Sequence, residues 1–188
     1  VTSTGAMAAG FIAVNGNAAA GAYYAGFSFD FQVDAGPDLE LCSGEEALLY
    51  ATGAGIGGTY TWDYGVLDSV AFTPGTTLTY TVIGTDFEGC EDDDTVVVTV
   101  YEHPTSFAGF DIEVCDTNTV ALAGNTPLVD SGFGTWTVLS GPGSPSFDDE
   151  TSPTAEITGL SEGVYELIWT VGNGTCPTVE DTMSITVY

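Results

Sequence analysis

The strictest alternation of apolar and polar side chains lies at residues 27–34. One set of alternate positions is apolar throughout, and it consists of Phe27, Phe29, Phe31 and Val33. The positions between them carry Ser, Asp, Gln and Asp. Successive side chains of a β-strand point to opposite faces, so this pattern predicts a half-buried strand.

Short segments rich in Val, Thr, Tyr and Leu follow along the rest of the chain, and glycines and prolines separate them. Such segments predict strands. The predicted strands are 47–52, 59–62, 78–83, 95–100, 119–122, 134–139, 154–157, 163–171 and 182–187. No stretch offers a capped helical period of useful length. Many short strands with close turns predict β-sandwiches.

The second half of the chain repeats the first. Residues 35–42, AGPDLELC, return as residues 108–115, AGFDIEVC. Trp62 follows Cys42, which ends the first copy of this segment, by 20 residues, and Trp136 follows Cys115, which ends the second copy, by 21. Val-Tyr pairs at 100–101 and 187–188 close the two copies. A repeat of this kind decides the architecture.

The predicted fold is therefore all-β, with two tandem Ig-like β-sandwich modules behind an Ala/Gly-rich N-terminal extension. The extension covers residues 1–32, module 1 covers 33–101, a linker covers 102–106, and module 2 covers 107–188. The extension begins at Val1 without a basic segment, as we expect of a processed or excerpted chain. Its many Gly and Ala residues make it an unconvincing membrane span.

Charge narrows the possible partners. The chain has no Lys or Arg and 27 Asp and Glu, which gives a formal charge of −27. Nucleic-acid binding is excluded, because neutralising phosphates requires Lys or Arg. Docking on an anionic membrane surface is disfavoured for the same reason. The composition is typical either of a soluble surface that resists association or of adaptation to a salty or protease-rich exterior.

Each module carries two cysteines, at matching positions. Four cysteines allow three pairings. The matching positions favour Cys42–Cys90 and Cys115–Cys176, one disulfide inside each module. Such bonds imply an oxidising exterior. The alternative role for these cysteines is to bind zinc. The sequence contains no CxxC or His-rich spacing that would predict a zinc site.

The remaining candidates for chemistry are few. His103 is the only histidine, and without a nucleophile signature beside it we expect a solvated linker residue. Asp92, Asp93 and Asp94 could hold calcium, although no EF-hand loop is present and charge runs usually lie on solvated turns. All three tryptophans are expected in the cores, at 62, 136 and 169. Nothing predicts an enzyme.

Several motifs together resemble a known family. They comprise Gly-Pro-Asp-x-x-x-Cys-Ser-Gly-Glu at 36–45, Tyr-Thr-Trp at 60–62, Phe-Thr-Pro at 72–74, Leu-Thr-Tyr-Thr-Val at 78–82, Gly-Cys at 89–90 and Asp-Thr-Val-Val-Val at 94–98. The pattern resembles the Ig-like and PKD-like repeats of giant secreted surface proteins of Bacteroidetes, including gliding-motility adhesins. Three tripeptides also look like the Bacteroidetes O-glycosylation motif, which implies glycans on Ser69, Thr95 and Thr182.

The resemblance implies an extracellular, non-enzymatic structural module of a cell-surface filament or adhesin stalk. We expect the module to need no cofactor, and calcium is the one ion that its carboxylates could bind. We expect self-association, with Phe27, Phe29, Phe31 and Val33 in a strand that joins the sheet edge of a neighbouring molecule. The alternative is local: residues 27–33 form the first strand of module 1 and pack on that module. The alternative function is a calcium-dependent module that binds surface glycans.

Overall fold

The computed structural model describes residues 31–129 and 131–188. Within these residues the fold consists of eleven strands and a single 3₁₀ turn, Asp63–Gly65. The strands are β1 Leu39–Cys42, β2 Thr59–Trp62, β3 Leu78–Thr85, β4 Glu91–Tyr101, β5 Ile112–Val114, β6 Thr119–Ala121, β7 Gly132–Ser140, β8 Ser146–Phe147, β9 Glu156–Thr158, β10 Gly163–Asn173 and β11 Cys176–Val187. None of the helical structure in this part of the chain is long and apolar enough to cross a membrane.

Module 1 is built on one four-stranded sheet in the order β1-β4-β3-β2. The β2–β3 and β3–β4 pairs are antiparallel, whereas β1 runs parallel to β4. Residues 33–35 and 47–52 pack on the buried face of this sheet, linked to their neighbours by isolated bridges. The predicted strand 47–52 therefore keeps the buried alternation of a strand without a continuous ladder.

Module 2 has two facing sheets, a four-stranded sheet in the order β5-β11-β10-β7 and a three-stranded sheet in the order β6-β9-β8. Trp136 and Trp169 are cross-strand partners on β7 and β10, and their ring centroids lie 4.9 Å apart. Gly134 makes room for this pair, because a Cβ there would overlap the Trp169 ring. The prediction of all-β, Ig-like sandwich modules is confirmed.

All three tryptophans are buried, with 4%, 1% and 0% of their surface exposed at positions 62, 136 and 169. Each indole N–H also has an acceptor: the Asp68 carboxylate, the Ser152 carbonyl, and the carbonyl and side-chain oxygens of Asn125, respectively. Buried indoles keep such partners because an unpaired N–H is costly. The tryptophans are therefore core residues, as predicted.

The acidic run at the start of β4 belongs to the strand and not to a turn. The Asp92 carboxylate accepts a hydrogen bond from the backbone N–H of Val33, and that of Asp94 accepts one from Ala35, each at 2.8 Å. Module 2 repeats the second contact, with Asp181 accepting from the N–H of Ala108 at 2.8 Å. These carboxylates satisfy backbone amides that the sheet ladders leave free. Here the expectation of solvated turns was wrong.

We predict that Asp94→Ala destabilises the protein by about 1–3 kcal/mol at neutral pH, because the buried Ala35 amide loses its acceptor. Asp93→Ala is the matched control, since Asp93 is exposed on the other face of the same strand. Urea denaturation monitored by tryptophan fluorescence measures both variants. Equal stability of the two variants would contradict the assigned role.

The effect should also depend on pH. The amides of Ala35 and then Thr95 hold the pKa of Asp94 below its usual value. A carboxylate with a lowered folded pKa stabilises the fold above the unfolded pKa of about 4, and this contribution disappears as the pH falls through the folded value. Wild type and Asp94→Ala should therefore converge in acid. A gap that widens in acid would contradict this assignment.

Candidate functional site

The two modules are joined to each other by a disulfide. Cys42 of module 1 is bonded to Cys176 of module 2, with 4.9 Å between their Cα atoms and a sequence separation of 134. Cys90 and Cys115 are free and exposed. The predicted pairs, Cys42–Cys90 and Cys115–Cys176, are therefore wrong.

The direction of β1 explains why a bond inside module 1 cannot form. Because β1 is parallel to β4, Cys42 lies opposite Tyr101 at the end of β4. Cys90 comes just before Glu91, where that eleven-residue strand begins. A strand rises about 3.3 Å per residue, so the two cysteines lie about 35 Å apart. A disulfide requires Cα atoms within about 7 Å.

Module 2 has the same geometry. Strand β5 is parallel to β11 and pairs Val114 with Val187, so Cys115 follows at the end of β11. Cys176 is the first residue of that twelve-residue strand. We call the end where β4 or β11 begins the upper end of a module, and the end where it finishes the lower end. The disulfide thus joins the lower end of module 1 to the upper end of module 2.

Close packing surrounds this bond at the junction. The ring of Tyr101 lies against Gly174, where a Cβ would overlap it. The buried Asn173 donates a side-chain hydrogen bond to the carbonyl of Glu102 at 2.8 Å. Leu128 and Val129 line an open cleft together with residues 99–101 of module 1 and Glu102 of the linker. The junction is therefore a packed contact as well as a covalent one.

The linker is bound along module 2. Ser106 donates its hydroxyl to the carbonyl of Trp169 at 2.6 Å, and Asn125 donates its amide to the carbonyl of Thr105 at 2.8 Å. His103 is exposed, as expected of a linker residue, but it also contacts module 1. Its Nδ1 lies 3.4 Å from the Cys42 sulfur, and its Nε2 lies 3.1 Å from the carbonyl oxygen of Ser43. These contacts reduce the freedom of the modules to swing.

The junction also has the composition of a metal site, because ligand atoms of Cys42, His103 and Cys176 lie within 4.8 Å of one another. Zinc binds cysteine as the thiolate. Both sulfurs here are committed to the disulfide. The two sulfurs therefore form a disulfide that links the modules and do not act as metal ligands.

The residues predicted to hold calcium do not converge. Asp92 and Asp94 lie on one face of β4 and bind backbone amides, whereas Asp93 lies on the exposed face. Calcium takes 6–8 oxygen ligands, which must surround the ion. A different group, Asp86, Glu88 and Cys90, brings its ligand atoms within 4.8 Å at the β3–β4 turn.

All three predicted glycosylation hydroxyls are exposed, on Ser69, Thr95 and Thr182. The aspartate preceding each one is structural. Asp68 accepts from the Ala51 amide and from the Trp62 indole, and Asp94 and Asp181 hold the amides described above. Glycosylation remains a prediction, and the structure leaves its acceptor atoms accessible.

The predicted assembly strand is described only in part, because Phe27 and Phe29 lie outside the described residues. Val33 is 7% exposed in the core of module 1, and Phe31 packs against that core. Val33 is covered by its own module, and Phe31 is partly covered. Their apolar character is therefore explained without a neighbouring molecule, and strand addition remains a prediction for the preceding residues.

Comparisons with known proteins support the fold. No protein-family model and no curated protein matches the sequence. Extracellular domains 3–5 of Drosophila OTK match at 15% identity and TM-score 0.57, over 84% of this chain and 61% of that one. Immunoglobulin domains 1–5 of Sidekick-1 match at 13% and 0.57, over 86% and 40%. An I-band fragment of titin matches at 15% and 0.51, over 84% and 64%.

Each of these structures is a tandem array of Ig-like domains, and this chain spans between 40% and 64% of their lengths. At such low identity the likeness concerns the fold alone. What this particular chain does must be argued from its own residues.

We predict that neighbouring charges slow the reaction of Cys90 with an alkylating agent. The charge of Asp86, then burial, and then the charge of Glu88 raise the pKa of the Cys90 thiol, so less thiolate is present at neutral pH. Asp86→Asn with Glu88→Gln should speed alkylation several-fold at neutral pH, measured by mass spectrometry in a Cys115→Ser background. Asn keeps the side-chain oxygen that accepts from the amides of the turn.

Glu156→Gln with Glu162→Gln, two exposed residues of module 2, removes the same number of charges and should leave the rate unchanged. At strongly alkaline pH the rates of all variants should converge. A rate that ignores the Asp86 and Glu88 substitutions would contradict the assigned electrostatics.

Proposed function

We propose that this chain is a load-bearing structural module of an extracellular stalk, within a cell-surface filament or adhesin of the Bacteroidetes gliding-motility type. The observation that carries the proposal is the Cys42–Cys176 disulfide between the lower end of module 1 and the upper end of module 2. A bond at this place does little for a binding pocket, but it changes how tension passes along the chain.

Tension applied through the first and last strands takes a short covalent route. It enters module 1, reaches Cys42 close to the start of that module, crosses to Cys176, and continues along β11. Residues 43–175, between the two cysteines, are bypassed. Fully extended, that segment would add about 450 Å to the length of the stalk. The disulfide therefore prevents nearly all extension even if both sandwiches open.

Location outside the cell is supported by the chemistry of the chain. Disulfides persist in oxidising compartments. The absence of Lys and Arg removes every cleavage site for a trypsin-like protease. A net charge of −27 keeps neighbouring acidic surfaces apart, which suits a stalk that is exposed along its length.

The alternative function, calcium-dependent binding of surface glycans, has weaker support. All three tryptophans are buried, so the aromatic rings left exposed for stacking on a sugar are those of Tyr and Phe residues. Asp92 and Asp94 are already engaged with backbone amides. No observation on the described residues favours this function over the structural one.

Single-molecule pulling between the two chain ends tests the proposal. We predict that the oxidised protein never shows the extension of about 450 Å that opening of residues 42–176 would release. After a reductant has cleaved the Cys42–Cys176 bond, the protein should show this extension. Cys42→Ser with Cys176→Ser should extend fully without reductant, whereas Cys90→Ser with Cys115→Ser should behave as wild type.

Full extension of the oxidised wild type would overturn the load-bearing role. The location is tested separately by antibody labelling of intact cells that produce the protein naturally. Labelling only after permeabilisation would contradict an extracellular stalk.

A further inference from the structure

We propose that Cys115 of one molecule forms a disulfide with Cys90 of a second copy of this chain, so that copies join head to tail as the two modules are joined within the chain. This inference rests on the proposed structural role and adds a specific joint to it. Its basis is positional: each free cysteine occupies the place that a bonded cysteine occupies in the other module.

The lower ends of the two modules are equivalent down to their backbone hydrogen bonds. In module 1 the N–H of Ser43, just after Cys42, donates to the carbonyl of Tyr101 at 2.8 Å. In module 2 the N–H of Asp116, just after Cys115, donates to the carbonyl of Tyr188 at 3.3 Å. Cys115 therefore lies at the edge of the lower end, as Cys42 does.

The upper ends correspond in the same way. Cys176 starts the second strand of the β10–β11 hairpin, opposite Asn173. Cys90 directly precedes the second strand of the β3–β4 hairpin, and its carbonyl accepts a hydrogen bond from the N–H of Asp86 at 2.9 Å. Both cysteines follow a turn that contains a positive-φ glycine, Gly174 or Gly89. Residues 87–89 separate Cys90 from its partner Asp86, and residues 174–175 separate Cys176 from its partner Asn173.

The surfaces around the free cysteines also match the junction. At the junction, Leu128 and Val129 from the upper end of module 2 line an open cleft with Tyr101 and are 38% and 82% exposed. At the upper end of module 1 the corresponding loop carries Ile56, 98% exposed, and the nearby turn carries Phe87, 75% exposed. At the lower end of module 2, Tyr188 is 61% exposed beside a second cleft.

A second copy placed head to tail would bring these surfaces together. Its Ile56 and Phe87 would lie over Tyr188, as Leu128 and Val129 lie beside Tyr101 at the junction. Large apolar side chains that are exposed close to one another mark interaction surfaces more often than single exposed side chains do. Because the joining surfaces differ from each other, the contact is heterologous and adds further copies in a line.

Charge opposes this contact until it is screened. Asp86 and Glu88 flank Cys90, and Asp116 and Glu162 lie in the cleft beside Tyr188. Like charges brought together across an interface repel, and salt shortens their range. We therefore expect joining to be faster at high ionic strength than at low ionic strength.

The bond forms by thiol–disulfide exchange with a small disulfide such as oxidised glutathione. The Cys115 thiolate attacks one glutathione sulfur, and the first glutathione leaves as a thiolate. The Cys90 thiolate of the second copy then attacks the sulfur of Cys115 and releases the second glutathione. Two protein thiols become one disulfide, and one oxidised glutathione becomes two reduced molecules.

Mixing two single-cysteine variants tests the direction of joining. Cys90→Ser keeps only Cys115 free, and Cys115→Ser keeps only Cys90 free. Each is incubated alone and then both together with oxidised glutathione in about 0.5 M salt, where the Debye length is only a few ångströms. We expect a disulfide-linked dimer mainly in the mixture, and a ladder of longer species from wild type, on non-reducing gels with mass spectrometry.

Three results would overturn the proposal: equal amounts of dimer from each variant alone, glutathione adducts with no protein dimer in the mixture, or joining that slows as salt is raised. Pulling measurements on the same variants separate this failure from failure of the stalk. If the bypass through Cys42–Cys176 persists while copies do not join, only the joint is wrong. If the bypass is absent, the stalk proposal fails as well.

Discussion

In each module a short strand runs parallel to the strand that comes last in the module's sequence, and this pairing decides where the cysteines lie. β1 runs beside β4 in the same direction, and β5 runs beside β11 in the same direction. The first cysteine of each module therefore lies at the lower end. The second cysteine lies at the upper end, just before the long strand in module 1 and as its first residue in module 2. A bond inside a module is thereby ruled out by distance. Cys42 and Cys176 meet because the modules follow one another end to end.

The lack of cations places a second constraint on the structure. A chain without Lys or Arg cannot pair its carboxylates with basic side chains, and several of them bind backbone amides instead. Asp38 and Asp111 do the same at equivalent places in the two modules, accepting from the amides of Val97 and Ser184. Charged acceptors make stronger hydrogen bonds than neutral ones. Much of the acidic character is thus built into the folds.

The repeat and the spacing of apolar residues were enough to predict the fold class, the tandem arrangement and the burial of the tryptophans. They did not predict β1, β5 or β8, although the equally short β2 and β6 were predicted from their Thr, Tyr and Val content. The acidic start of β4 was missed because charge usually indicates solvent, and the amides that Asp92 and Asp94 bind lie 59 residues away in sequence.

The disulfide could not be predicted from the repeat alone. Matching cysteine positions fit a bond within each module and a bond between successive modules equally well. The difference lies in the parallel direction of β1 and β5, which no local pattern encodes. The equivalent hydrogen bonds of Ser43 and Asp116 become informative only once the strands are placed.

Peptide mapping under non-reducing conditions tests the central claim most directly. Trypsin has no site, so an acid-specific protease must be used, and the many Asp and Glu residues separate all four cysteines. The account predicts one linked pair that contains Cys42 and Cys176, with Cys90 and Cys115 recovered as alkylated thiols from protein kept monomeric. Linked peptides that join Cys42 to Cys90 and Cys115 to Cys176 would contradict it.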